Sequence, residues 1–137
     1  MVCVYCSKPT QVTNSRLQRQ NNHTWRRRAC AACNSIFTTI ERPDLATAVL
    51  VTGKDDKDLS PFNRDRLFVS IYNSCQHRST ALEDASGLTQ IVISNLLNSR
   101  AKAALVSAAH IAEVTAMALA RFDSSAAAVY NAYHPTP

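Results

Sequence analysis

Two C-x-x-C pairs, Cys3/Cys6 and Cys30/Cys33, stand 23 residues apart at the start of this 137-residue chain. They limit what it can fold into more than any other feature. Each pair suits a tight turn on which two thiols converge, and two such turns supply the four soft ligands of tetrahedral Zn²⁺. A redox C-x-x-C sits at a helix start in a thioredoxin-like unit, a pattern that surrounds neither pair. Disulfides are disfavoured because the chain opens with no basic and apolar leader of the secretory kind. A closed four-cysteine site leaves no open position for water, so the expected zinc is structural, not catalytic. His23 then reads as a solvated loop histidine. The fifth cysteine, Cys75, falls on the apolar side of a later helix and reads as a small buried hydrophobe.

Between the pairs, short strands are expected near residues 11–17, 24–29 and 35–40, with a polar turn at 18–23. So short a segment cannot bury enough apolar surface to fold unaided, which again calls for a metal staple. Its charge is lopsided. Residues 1–43 carry seven basic side chains against one acid, Glu41, whereas residues 44–137 carry eight against nine. Three of those bases form Trp25-Arg26-Arg27-Arg28, and Arg16 lies on the preceding strand. Strand alternation sends Arg26 and Arg28 to one face and Arg27 to the other. Guanidinium groups on a rigid hairpin can grip phosphates and read guanine edges, so the segment is expected to bind nucleic acid. Trp25 is expected to form half of a miniature core.

Arg42-Pro43-Asp44 marks a tight boundary, giving expected domains at 1–43 and 44–137. The second part begins with a β-branched strand at 48–52 and a charged turn at 53–58. Asn63 then caps a helix whose stripe is Leu67, Phe68, Ile71, Tyr72 and Cys75. Thr80-x-x-Glu83 resembles a capping box for a second helix bearing Leu88, Ile91, Val92 and Leu96. A third helix carries Ile111, Val114, Thr115, Ala118, Leu119 and Phe122, and an Ala-rich helix follows at about 123–133. Two glycines in all argue against a Gly-rich phosphate loop. Asp55, Asp56 and Asp58 read as a solvated acidic turn rather than a Mg²⁺ site. With no clustered acid/base pair either, no enzyme activity is expected. No apolar run is long enough to span a bilayer, and a cytoplasmic protein is expected.

Four stretches together resemble the N-terminal zinc ribbon of the NrdR family: Cys3-x-x-Cys6, Asn14-Ser15-Arg16-Leu17, Arg26-Arg27-Arg28-x-Cys30-x-x-Cys33 and Phe37-Thr38-Thr39-Ile40-Glu41-Arg42. Pro61-Phe62-Asn63-x-x-Arg66-Leu67, with Arg78 eleven residues later, resembles the start of that family's ATP-cone. The resemblance implies an α+β protein, a small four-cysteine zinc ribbon followed by a mainly helical ATP-cone built as a strand and four helices. It implies a bacterial repressor of ribonucleotide reductase operons that binds tandem operator boxes in duplex DNA. ATP or dATP, with or without Mg²⁺, would bind the cone and set the state of a homo-oligomer. Carried over residue by residue, DNA contacts fall on Ser15, Arg16, Arg26, Arg27 and Arg28. Nucleotide contacts fall on Val51, Lys54 (or Lys57), Arg66, Arg78 and Tyr130 (or Tyr133). Departures occur at Thr52, where the family has a basic residue, and at Ser60, where it has an acid. The alternative is a constitutive zinc-ribbon nucleic-acid binder whose helical part only oligomerises.

Overall fold

A computed structural model describes residues 1–53, 58–98 and 104–135. The chain divides into two compact units, Met1–Pro43 and Asp44–Pro137. It is an α+β protein, with a small β unit leading a mostly helical one.

The first unit is an antiparallel meander of β1 (Gln11–Gln18), β2 (His23–Ala29) and β3 (Ile36–Glu41), with β2 in the centre. A 3-10 turn at Arg19–Asn21 joins β1 to β2 and ends on Asn22 in the left-handed region. Asn tolerates that region because its short amide bonds locally. A bulge between Val12 and Asn14 gives β1 one extra residue. The two cysteine turns are built alike. Cys3 N–H donates to Lys8 O (2.7 Å) and Cys30 N–H to Ser35 O (3.0 Å). In each, the residue after the second cysteine has positive φ, 59° at Ser7 and 57° at Asn34.

The second unit sets a small sheet against a helical bundle. A one-turn helix α1 (Leu45–Ala48), capped by Asp44, leads into β4 (Leu50–Thr52). β5 (Leu59–Pro61) pairs antiparallel with β4, and β6 (Leu105–Ser107) pairs parallel on its other side. The single expected strand is therefore the middle of three. Its neighbours have only three residues each, too few to show an alternation, and β5 takes in Ser60 and Pro61 just before the Asn63 cap.

Four helices follow the sequence signals closely. α2 (Arg64–Cys75) starts at Asn63, whose side chain accepts from Arg66 N–H (2.8 Å). α3 (Ala81–Asn98) has no Thr80–Glu83 capping box. Thr80 instead donates to Asp84 (2.6 Å), and Glu83 faces solvent. α4 (Ala108–Phe122) is capped by Ser107, and α5 (Ser124–Tyr133) by Asp123, which accepts from Ser125 and Ala126 N–H. The core gathers Leu67, Ile71, Cys75, Leu88, Val92 and Leu119 between the helices. Two expected core positions lie outside it: Ile91 is half-exposed, and Phe122 lies beneath the Arg78 guanidinium, 4.7 Å from its ring centroid. Thr115 is fully buried on its expected stripe and Thr89, not expected there, is fully buried too, each returning its hydroxyl to the carbonyl one turn back.

A candidate metal centre and nucleic-acid interface

The Sγ atoms of Cys3, Cys6, Cys30 and Cys33 all lie within 4.8 Å of one another. Cys3 and Cys33 are 3.7 Å apart and Cys6 and Cys30 3.5 Å, and all four are free thiols. Tetrahedral zinc with Zn–S bonds of about 2.3 Å needs sulfur–sulfur edges of about 3.8 Å, so the quartet fits the ion.

The surroundings favour thiolates unevenly. Burial pushes Cys3 up, but the Tyr5 N–H, the Ser35 hydroxyl and the Cys6 N–H bring it down to about 6. Cys33 is lowered by the Ser35 hydroxyl and the Ser35 N–H. Cys6 accepts from the Lys8 N–H, yet Cys33, burial and Cys30 push it up to about 12. Four thiols this close cannot all ionise against one another without a cation among them. His23 takes no part in the cluster. Cys75 lies in the other unit, where burial raises its thiol.

The ribbon splits the expected DNA contacts between its two faces. Arg26 pairs across the strands with Ser15 and Thr39, and Arg28 with Val12 and Phe37. Arg27 pairs with Asn14 and Thr38, and Trp25 with Arg16 and Ile40. Ser15, Arg26 and Arg28 thus share one face, and Arg16 and Arg27 the other. Trp25 is half-buried at the centre of the second face.

Among the described residues, those expected to meet a nucleotide are spread over several elements. Val51 is half-buried on β4, and Arg66 is exposed in the first turn of α2. Lys54 lies outside the described residues, as do Lys57, Asp55 and Asp56. Arg78 follows the far end of α2, a helix about 18 Å long at 1.5 Å per residue. Its guanidinium is committed to Asp84 (2.7 Å) and Asp123 (3.0 Å), which hold it protonated more firmly than a free arginine. Tyr130 is 3% exposed and stacked on His134, and burial raises its hydroxyl against the lowering influence of the nearby Thr115 and Ser70 hydroxyls. Its ring is part of the helical core. Tyr133 is exposed. Unforeseen in the sequence is a small apolar pocket of about 40 Å³ lined by Leu45, Val49, Phe62, Ile93, Leu96 and Val106. Its residues come from separate stretches of chain, none of which carries a ligand motif.

Residues 1–41 match the family described as "Transcriptional repressor NrdR-like, N-terminal domain". Among curated relatives, one named "Transcriptional repressor NrdR" from Bordetella avium is 32% identical over 138 residues, covering 97% of this chain and 84% of the relative. A protein of the same name from Symbiobacterium thermophilum is 35% identical over 61% of this chain. Another from Rhodospirillum rubrum is 44% identical over 57% of it. The matched stretch spans about half of these last two relatives, 54% and 51%.

Proposed function

The chain belongs to the NrdR family, and from that premise we propose that it is a nucleotide-responsive bacterial transcriptional repressor of ribonucleotide reductase operons. The observation that carries this reading is the thiol quartet at the root of a ribbon holding seven basic side chains and one acid. Zinc held by Cys3, Cys6, Cys30 and Cys33 staples the ribbon, which binds tandem operator boxes in duplex DNA. The Asp44–Pro137 unit binds ATP or dATP and assembles copies of the chain. Val51, Lys54 and Arg66 are the side chains assigned to the nucleotide. Switching requires only that the two nucleotides prefer different assemblies, with no reaction on either and hence no enzyme. Among the described residues no helix is long and apolar enough to cross a membrane. A cytoplasmic, nucleoid-associated location goes with the DNA-binding role.

Size-exclusion chromatography with light scattering, run without nucleotide and with ATP or dATP, tests this reading. Different masses in the two nucleotides are expected, and one mass in all three conditions would sink it.

The burial of Tyr130 and the pairing of Arg78 favour one competing account. In it the ribbon binds DNA constitutively and the helical unit only oligomerises. Calorimetric titration separates the two, since heat from ATP or dATP excludes the constitutive binder.

A further inference from the structure

Antiparallel register gives the ribbon two faces of different chemistry. One carries Arg26, Arg28 and Glu41, the one carboxylate of residues 1–43. There Arg26 lies 2.7 Å from Glu41 Oε2, and Arg28 donates to Thr39 (3.2 Å) and Thr10 (3.4 Å). Both guanidinium groups are half-buried and already employed within the protein.

The opposite face bears no carboxylate. Two adjacent rungs cross its three strands, Asn14–Arg27–Thr38 and Arg16–Trp25–Ile40. Asn14, Arg16, Arg27 and Thr38 are exposed, and among the described residues neither Arg16 nor Arg27 has an ion-pair partner. Ile40 is 58% exposed beside them. An open apolar and cationic face with no acid on it is complementary to a polyanion that also offers apolar edges.

We propose that this carboxylate-free face meets duplex DNA, with the Asn14–Arg27–Thr38 rung reading base edges in the major groove. The inference rests on the DNA-binding reading above and narrows it. Strands stand about 4.8 Å apart, so the rung spans about 10 Å, within a major groove about 12 Å wide. Its three side chains supply different chemistry: a guanidinium for guanine O6 and N7, an amide for adenine N6 and N7, and a methyl for thymine. Arg16, one rung away, takes a backbone phosphate. Arg26 and Arg28 are instead held within the ribbon by Glu41, Thr39 and Thr10 and do not meet the DNA.

The test uses the full zinc-loaded chain and two probes, a mixed-sequence DNA duplex titrated against salt and a randomised duplex pool put through selection. Arg16→Ala should lower the slope of log affinity against log salt by about 0.9, one phosphate's worth. Arg27→Ala and Asn14→Ala should change the sequence selected from the pool. Glu41→Gln, which releases Arg26 without disturbing the strands, should leave the slope and the selected sequence unchanged. Arg28→Ala should do the same where its zinc content stays normal. A steeper slope in Glu41→Gln, or an unaltered selection in both Arg27→Ala and Asn14→Ala, overturns the face assignment alone. A wild-type chain with no salt-dependent affinity for duplex DNA overturns the DNA-binding reading itself. Tighter binding to an RNA duplex, whose deep narrow major groove excludes a ribbon, also overturns the proposal.

Discussion

Arg78 Nη1 lies 3.0 Å from Asp123 Oδ2, a pairing across 45 positions that joins the end of α2 to the junction of α4 and α5. Asp123 also caps α5 and accepts from His77 Nε2 at 3.1 Å, while Arg78 bonds Asp84 at the start of α3 and covers the Phe122 ring. One guanidinium therefore ties together one end of all four helices.

Substitutions at Asp123 should separate its two tasks. Asn keeps a capping oxygen and loses the charge, whereas Ala loses both, so the thermal midpoint should fall in the order wild type, Asp123→Asn, Asp123→Ala. Equal midpoints for the two variants would show that the cap carries no weight.

The same site predicts acid sensitivity. The Ala126 N–H, the His77 side chain and Arg78 together hold the Asp123 carboxyl well below the usual carboxylate range. Asp84 is lowered too, by Thr80 and Arg78. A depressed native pKa adds stability above the unfolded value, about 3.9 for Asp, and that stability drains as pH falls below it. Urea midpoints of the helical unit should hold steady near neutrality and decline below about pH 4. Arg78→Ala should flatten that decline.

Removing zinc should unfold residues 1–43 and spare the helices, because the two units have separate interiors. Trp25 is the one tryptophan of the chain and sits on the ribbon, so its emission reports that unit alone. Chelation should redshift the emission while helical circular dichroism persists. Simultaneous loss of both signals would contradict independent folding.

Metal stoichiometry should distinguish the five cysteines. Cys6→Ala or Cys30→Ala should abolish retention of one zinc per chain. Cys75→Ala should keep the metal and lower helical stability by about 1 kcal/mol, as expected for trimming a buried side chain. Ser7→Val offers a subtler probe of the cysteine turn. A β-branched residue is strained at φ 59°, so the variant should give up zinc to a chelator sooner than wild type.

Tyr130→Phe keeps the buried ring and should change the thermal midpoint little, by less than about 1 kcal/mol of stability. Its calorimetric response to ATP should match that of the wild type. A selective loss of nucleotide affinity would return Tyr130 to the ligand.

What the sequence reveals follows the range of the interaction. The metal site is legible because two short turns each declare themselves within four residues, and the cap Asn63 because capping is local. Strand alternation likewise separates Arg27 from Arg26 and Arg28 with no tertiary information. β6 is hidden because three residues carry no period, and its pairing with β4 depends on chain far away. The pairing of Arg78 and the burial of Tyr130 are hidden for a related reason. A surface arginine and a ligand arginine look alike in sequence, and an aromatic ring in an Ala-rich helix shows its inward direction only once α2 and α4 are packed against it.

The register Leu50↔Leu105 sets an order of assembly. The meander from β1 to β3 contains only neighbour-to-neighbour pairings and, with zinc bound, can close as soon as its last strand leaves the ribosome. The sheet of the second unit cannot close then, since β4 must wait while both α2 and α3 are synthesised before its parallel partner exists. Contacts of long sequence separation form late and slowly. During translation the emerging chain therefore carries all the strands and zinc ligands of its head ahead of a body still missing its last strand, and maturation proceeds from the N-terminus in two stages, the first set by zinc.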